Sequence, residues 1–429
     1  LSIAGLSFPH LSEADPDLLG EGSIDPLGLA PIADKLAEQI LPGITARMSR
    51  IRFITAMTVC SSATEPLRDV ASADGTPPYL AFEWHAVMAL ARSRNLPKEA
   101  LRIAGIDKAR AVVARGGFLD ARSYLKAPKV FGFNGIYKRL AINLGVLGPD
   151  LSLRERGAQL LQAWEMAEEQ HGFSGRSPGT DGKIFAELIE RWVGKALSAG
   201  QVVAKPQSDL WWRLAQSLRP DAIGSQEKRL LWEWLIEPVE PIRGEVIDSL
   251  PDVALTDTEA ETLRALRHQA SRELAGRLDA IDAYERVAEL LFASFIAIRR
   301  MSTAARPRLI GVDKVAEHTA VASIASQVPE AMRAASDRLD FVHLSQEFED
   351  ALGRFSEVAS PKHFLEMLFE HHSTVQAGKP PGKRPWFEGD PGRFMVRPQY
   401  QTFDEPIISF RYLHPYRINA VRSFIHDLS

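Results

Sequence analysis

A stripe of apolar residues at helical spacing most constrains what this chain can fold into: Leu263, Leu266, Ala270, Leu274, Leu278, Ile281, Ala288, Leu291, Phe295 and Ile298. The steps are threes, fours and one seven, and only Gly276 interrupts them. Thr256-Asp257-Thr258-Glu259, just ahead of the stripe, matches a capping box. One helix over 257–299 would be about 60 Å long at about 1.5 Å per residue. A helix of that length needs an apolar partner along its seam. The patterns at 313–328 and 331–354 are expected to pack back as that partner, with a homodimeric coiled coil as the alternative.

The same periodicity recurs through the chain, so the expected fold class is mainly α and multi-domain. Pro31 opens a helix carrying Ile32, Leu36 and Ile40, closed by Pro42-Gly43. Further helices are expected over 49–63, 79–93, 98–114, 135–147, 153–170, 183–198, 208–217 and 226–236. Trp164, Trp192, Trp211, Trp212, Trp232 and Trp234 fall in these helical contexts. Aromatics so spaced build core; a row of stacking platforms for single strands is the alternative. Ser360-Pro361 opens another helix with good cap chemistry. Phe394-Met395-Val396 and Ile407-Ile408-Ser409-Phe410 are expected to form a small C-terminal β-hairpin, and Pro415 to begin a final helix. The segments implied are 1–75, 76–150, 151–255, 256–375 and 376–429.

Charge is unevenly spread over this framework. Arg92, Arg94, Lys98, Arg102, Lys108, Arg110, Arg115, Arg122, Lys126, Lys129, Lys138 and Arg139 face only Glu99, Asp107 and Asp120 in the same stretch. That is a local excess of +9 in a chain of net charge −4, leaving −13 elsewhere. A basic module on an acidic body is the electrostatic footprint of a polyanion binder. Short helices with intervening turns across 79–147 suit a helix-turn-helix or winged-helix arrangement, which places a basic helix in a groove. Gly132-Phe133-Asn134-Gly135 precedes a helix bearing Lys138 and Arg139, so exposed amides there are expected to receive a phosphate. The Gly-x-x-Gly spacing is shared with KH-type RNA binders. Arg47, Arg50 and Arg52 crowd the entrance of the second helix, where its dipole disfavours cations, and call for an anion or carboxylate partner. Lys383 and Arg384, in a Pro- and Gly-rich loop, are a second candidate contact.

No reaction is named by a motif. The chain has no Walker A sequence, Rossmann glycine fingerprint, His-Glu-x-x-His or Gly-x-Ser-x-Gly. The single cysteine, Cys60, excludes an intramolecular disulfide and a cysteine-rich zinc site. It sits in an apolar run and is expected to be a buried small hydrophobe. His363, His371 and His372, with Glu366 and Glu370, share a predicted helix, but spacings of eight and nine do not make a tight metal pair. Glu83 and His85 fall on different faces of theirs. No catalytic or metal-ligating residue and no cofactor is therefore expected. The longest apolar run, Leu290–Ile298, is far below the roughly 20 residues of a membrane span. No membrane association and a cytoplasmic location are expected.

Two passages carry a resemblance. One runs from Gly22 through Asp25-Pro26-Leu27-Gly28-Leu29 to Glu38, with Leu41-Pro42-Gly43-Ile44 to Phe53 downstream; the other is His414-Pro415-Tyr416-Arg417-Ile418-Asn419-Ala420-Val421-Arg422-Ser423-Phe424. Together they resemble an uncharacterised family of bacterial proteins associated with genomic islands and phage-defence gene clusters. The resemblance implies a bacterial, intracellular, multi-protein context and assigns no residue a catalytic role.

The expected function is that of a non-catalytic nucleic-acid-binding subunit, DNA being the expected ligand, or of a scaffold within such an assembly. Other protein subunits would be its partners. The alternatives are a metal-dependent nuclease whose carboxylates are not recognisable by spacing, and an interaction subunit whose basic face docks an acidic partner.

Overall fold

The computed structural model describes residues 25–70, 72, 74–93, 103–205, 208–252, 258–306, 308–379, 382–389, 392–402 and 412–429. Among them the chain is mainly helical with a small antiparallel sheet. The helices are α1 (Ala30–Ile40), α2 (Phe53–Thr64), α3 (Pro78–Arg92), α4 (Ile106–Ala114), α5 (Pro128–Phe131), α6 (Phe133–Asn143), α7 (Glu155–Ala167), α8 (Asp181–Ala199) and α9 (Asp209–Ser217). They continue with α10 (Ser225–Leu235), α11 (Pro241–Ser249), α12 (Glu259–Arg267), α13 (Arg272–Ala304), α14 (Val312–Ala316), α15 (Thr319–Asp340), α16 (Ser345–Leu352), α17 (Pro361–Ala377) and α18 (Ile418–Leu428). The strands are β1 (Ile310–Gly311), β2 (Phe387–Glu388) and β3 (Arg393–Val396).

These elements form two compact units, both discontinuous in sequence: 1–36 with 276–414, and 37–275 with 415–429. The five sequence segments thus regroup. The basic stretch 103–139 shares its unit with the Trp-rich helices and with α18.

The long helix expected over 257–299 is two helices. Thr258 caps the first, its hydroxyl accepting from the Glu261 amide at 3.2 Å; Thr256 lies outside the described residues. The chain then breaks at 268–271, although Ala270 continues the apolar stripe. Ser271 restarts it: its hydroxyl accepts from the Leu274 amide at 3.2 Å, while its own amide and hydroxyl donate to Glu245 at 2.5 and 2.7 Å. A serine cap and an external carboxylate satisfy the helix-start amides better than a continued helix would there.

In the unit of 1–36 and 276–414, α15 lies antiparallel against α13. Asp279 meets Arg338 at 3.7 Å, and Arg286 donates to Gln327 at 2.6 Å. These two polar contacts bring α15 beside part of α13. α15 runs through Pro329, where the sequence pattern splits in two. The sheet order is β1-β3-β2, with Ile310 opposite Phe394 and Phe387 opposite Val396. β3 is the expected strand Phe394–Val396. The expected hairpin partner, Ile407–Phe410, lies outside the described residues; the partners seen are β1 and β2.

An aromatic cluster fills the space between sheet and helices here. Phe369 packs on Phe387 and Phe394, Phe295 on Trp386 and Phe387, and Trp386 stacks on Tyr400 at 4.3 Å. The Asp25–Leu29 stretch is fastened to this unit through its carbonyls. Pro26 O lies 2.8 Å from His372 Nδ1, Leu27 O lies 2.8 Å from His371 Nε2, and Leu29 O accepts from the Tyr284 hydroxyl at 2.5 Å.

In the other unit α2 is the central rod. Eleven of its twelve residues are buried, and α3, α6, α7 and α8 pack around it. This follows from the run Phe53–Cys60, which is apolar or small on every face. Trp84 and Trp164 are fully buried and Trp211 and Trp234 nearly so, whereas Trp212 is 67% exposed. Of the six tryptophans expected in helices, Trp164, Trp211 and Trp234 are core, Trp192 and Trp232 are half-buried and Trp212 is exposed.

Candidate functional site

The cations at the entrance of α2 find their anions within their own unit. Arg52 donates to Glu168 at 2.5 Å, to Glu227 at 3.3 Å and to the Arg219 carbonyl at 2.6 Å. Arg50 pairs with Asp427 of α18, which also accepts from the Ile51 amide at 3.2 Å. Arg47 lies over the Phe131 ring at 4.3 Å. Burial pushes the Glu168 and Asp427 carboxyls above the ordinary range, against the pull of the arginines. The expectation of an outside anion at Arg50 and Arg52 is therefore corrected: carboxylates of the same unit take that place.

The glycine-flanked start of α6 is likewise answered from inside. Glu83 of α3, fully buried, accepts from the amides of Phe133 and Asn134 at 3.2 and 3.0 Å. It also accepts from Asn134 Nδ2 at 2.9 Å and from the Tyr124 hydroxyl at 2.7 Å. Burial raises the Glu83 carboxyl, and these four hydrogen bonds hold it down. Gly132 is needed because a Cβ there would lie 2.0 Å from Glu83 Oε1. Gly135 is needed because a Cβ would lie 2.4 Å from the Lys129 carbonyl of α5. The amides expected to receive a phosphate bind a glutamate of the same unit, so the phosphate expectation at Gly132 and Gly135 is corrected. The helix dipole stabilises whichever anion reaches it, and tertiary packing delivers Glu83.

The remaining expected site residues separate into groups. Arg102 lies outside the described residues. Lys108, Arg115, Arg122, Lys126 and Lys129 are exposed along α4, the following turns and α5. Lys108 Nζ donates to the Tyr124 carbonyl at 3.0 Å, which ties α4 to the 120–126 turn. Among the described residues Lys126 and Lys129 have no carboxylate partner. Arg110 pairs with Asp107 at 3.5 Å, and Arg139 with Glu38 at 3.0 Å. Lys138 lines a cavity together with Cys60, Arg68, Tyr79 and Asp150. Lys383 and Arg384 belong to the other unit and are part-exposed.

The histidines of α17 are structural. His371 and His372 are buried against the Leu27 and Pro26 carbonyls, and His372 Nε2 accepts from the Trp386 amide at 2.9 Å. Burial lowers both, His372 to about 4. Among the described residues no group of three or more His, Cys, Asp or Glu is placed to hold a metal. His85 is buried, bonded to the Ala81 carbonyl at 2.7 Å, stacked on Trp211, and pushed down to about 4. Cys60 is buried, and burial pushes its thiol well up. Among the described residues no helix is long and apolar enough to cross a membrane.

What sequence reasoning missed is the set of inward-facing acids, Glu83, Glu227 and Glu285. Glu285 accepts from the Leu413 amide at 2.6 Å and meets His414 Nδ1 at 2.7 Å. Glu83 sits among apolar residues on its helix, whereas Glu227 lies in the polar run Ser225–Arg229. An apolar setting is the only signal a sequence carries for a buried charge.

Among the described residues these features define a mainly helical protein with a small antiparallel sheet and a solvent-facing basic segment. No protein-family model, curated protein or solved structure matches the chain.

Proposed function

We propose that this protein binds nucleic acid, DNA in the first instance, as a non-catalytic or scaffolding subunit of a bacterial defence or DNA-processing assembly. One observation carries the reading. Lys108, Arg115, Arg122, Lys126 and Lys129 face solvent, with Lys126 and Lys129 free of carboxylates among the described residues, whereas Arg50 and Arg52 at the entrance of α2 are neutralised internally. Uncompensated cations on one continuous segment are what a phosphate backbone requires. In a helix-turn-helix-like use of the segment, α4 would enter the groove while Arg122, Lys126 and Lys129 hold phosphates. The assembly context rests on the resemblance carried by Gly22–Glu38, Leu41–Phe53 and His414–Phe424.

The test is binding to labelled duplex and single-stranded DNA across a salt series, for the wild type and for Lys126→Glu with Lys129→Glu. The expected result is steep salt dependence in the wild type. In the double variant the slope should be shallower by roughly 0.9 for each phosphate no longer neutralised. Salt-insensitive binding would overturn the proposal. Absence of binding at low salt would move the segment to a protein interface with an acidic partner.

A further inference from the structure

One stripe of α2, buried though it is, borders a pocket. Met57, Cys60, Ser61 and Thr64 recur at i, i+3, i+4 and i+7 on α2, and all four line a cavity of ≈ 280 Å³. At roughly 30 Å³ per water, that is room for about nine water volumes. Three of the four side chains are small, which is what opens the space. The pocket opens to solvent between Arg68 and Asp150, so a small molecule can reach it.

The opposite wall is the 147–151 turn. Leu151, which lines the cavity, is held at φ +65°, a backbone region that costs a branched residue of the order of 1–2 kcal/mol. The surroundings impose that conformation: Ser61 Oγ donates to the Leu151 carbonyl at 2.7 Å, and Asp150 accepts from the Ser152 amide at 3.1 Å. Strained residues over-determined by their neighbours cluster at ligand sites.

The polar groups are mixed: two cations, Arg68 and Lys138, face one lining carboxylate, Asp150. Ser61 and Thr64 spend their hydroxyl protons on the Leu151 and Cys60 carbonyls. The Tyr79 hydroxyl and the Lys138 ammonium have no partner among the described residues, and Arg68 meets Asp150 only at 3.9 Å. Donors and positive charge are therefore in surplus, against an apolar lining of Met57, Leu147, Pro149 and Leu151. Ligand sites share this make-up of apolar walls with a few convergent polar groups.

We propose that this cavity binds a small organic anion, its apolar body against Met57, Leu147 and Leu151 and its carboxylate or phosphate head at Lys138, Arg68 and the Tyr79 hydroxyl. The site is distinct from the 108–129 surface, so either proposal can fail alone.

The test uses the whole chain with benzoate and phenyl phosphate as probes, and benzamide as the neutral control. Thermal unfolding midpoints are followed against probe concentration, because a ligand that binds only the native state raises the midpoint. In parallel, the rate of Cys60 alkylation by iodoacetamide is followed by intact mass; as the only cysteine it gives a single mass shift. One or both anions should raise the midpoint by a few degrees and slow alkylation several-fold, and benzamide should do neither. Lys138→Ala should abolish both effects while keeping the unliganded midpoint. Ser61→Leu, which fills the space, should block the probes, and any loss of fold it causes is separated out by Lys138→Ala. Response to benzoate alone or to phenyl phosphate alone tells the two head groups apart. No midpoint shift with either anion, equal response to benzamide, or an undiminished response in Lys138→Ala would overturn the proposal.

Discussion

Two runs of cations in the same unit, 47–52 and 108–129, look alike in sequence and do opposite things in the structure. Arg50 and Arg52 are drawn into a buried lattice with Asp427, Glu168 and Glu227. Lys126 and Lys129 stand in solvent. The difference is not in the cations but in where their counter-charges end up. A buried guanidinium without a carboxylate would cost several kcal/mol, so burial demands a partner. An exposed ammonium keeps its hydration and needs none. The first run is thereby committed to holding the fold and the second is available to a polyanion.

The sharpest way to break this comparison is at the buried end. Arg52→Ala leaves Glu227, fully buried, without its guanidinium, and should cost about 3–5 kcal/mol in urea unfolding. A loss below about 1 kcal/mol would show that the lattice is not what holds α2.

Glu83→Ala strands the Phe133 and Asn134 amides, Asn134 Nδ2 and the Tyr124 hydroxyl together. It should cost about 3 kcal/mol and raise hydrogen exchange at the start of α6. If α6 is unaffected, its amides have another acceptor.

The buried histidines give a pH test. His85 has an ordinary value of 6.5 and is pushed down to about 4 by burial. Between those values the unfolded chain binds the proton and the folded chain does not, so stability rises with pH across the window and is lost as pH falls from 6.5 to 4. The full span is on the order of 3 kcal/mol. Glu83 and Glu168, raised by burial, slope the other way, because the fold holds their protons more tightly. The difference between wild type and His85→Phe isolates the histidine. That difference should grow as pH drops from 6.5 toward 4, and a flat difference would place His85 in contact with water.

The smallest expected effect on stability lies in the exposed run. Lys126→Glu with Lys129→Glu should shift unfolding by less than about 0.5 kcal/mol while sharply weakening DNA binding. A large stability loss would mean that these lysines belong with the arginines of α2 after all.

Most helices are legible in the sequence because core-facing positions recur every three or four residues and the ends carry caps. Ser360-Pro361 opens α17 as expected, with the Ser360 hydroxyl accepting from the His363 amide at 3.2 Å. β3 is legible as a short β-branched and aromatic run, but its partners β1 and β2 are two-residue strands with no pattern to detect. The break at 268–271 is not legible, because the apolar spacing runs through it and the deciding group, Glu245, is 26 residues from Ser271 in sequence. The glycine-flanked loop at 132–135 is recognisable as a helix start that takes an anion. That the anion is Glu83 depends on a contact 50 residues away.

The order of residues along the chain was enough to establish a mainly helical protein, the approximate places of its helices, and the clustering of positive charge between 92 and 139. Those properties are local: periodicity, capping and charge count are set by neighbours in sequence. Which cations are neutralised, which helix start is already filled, and which face of α2 borders a cavity were settled by the folded chain alone. Those are questions of what is brought within a few ångströms across long stretches of sequence. Charge pairing and desolvation depend on that distance and on burial, not on order along the chain.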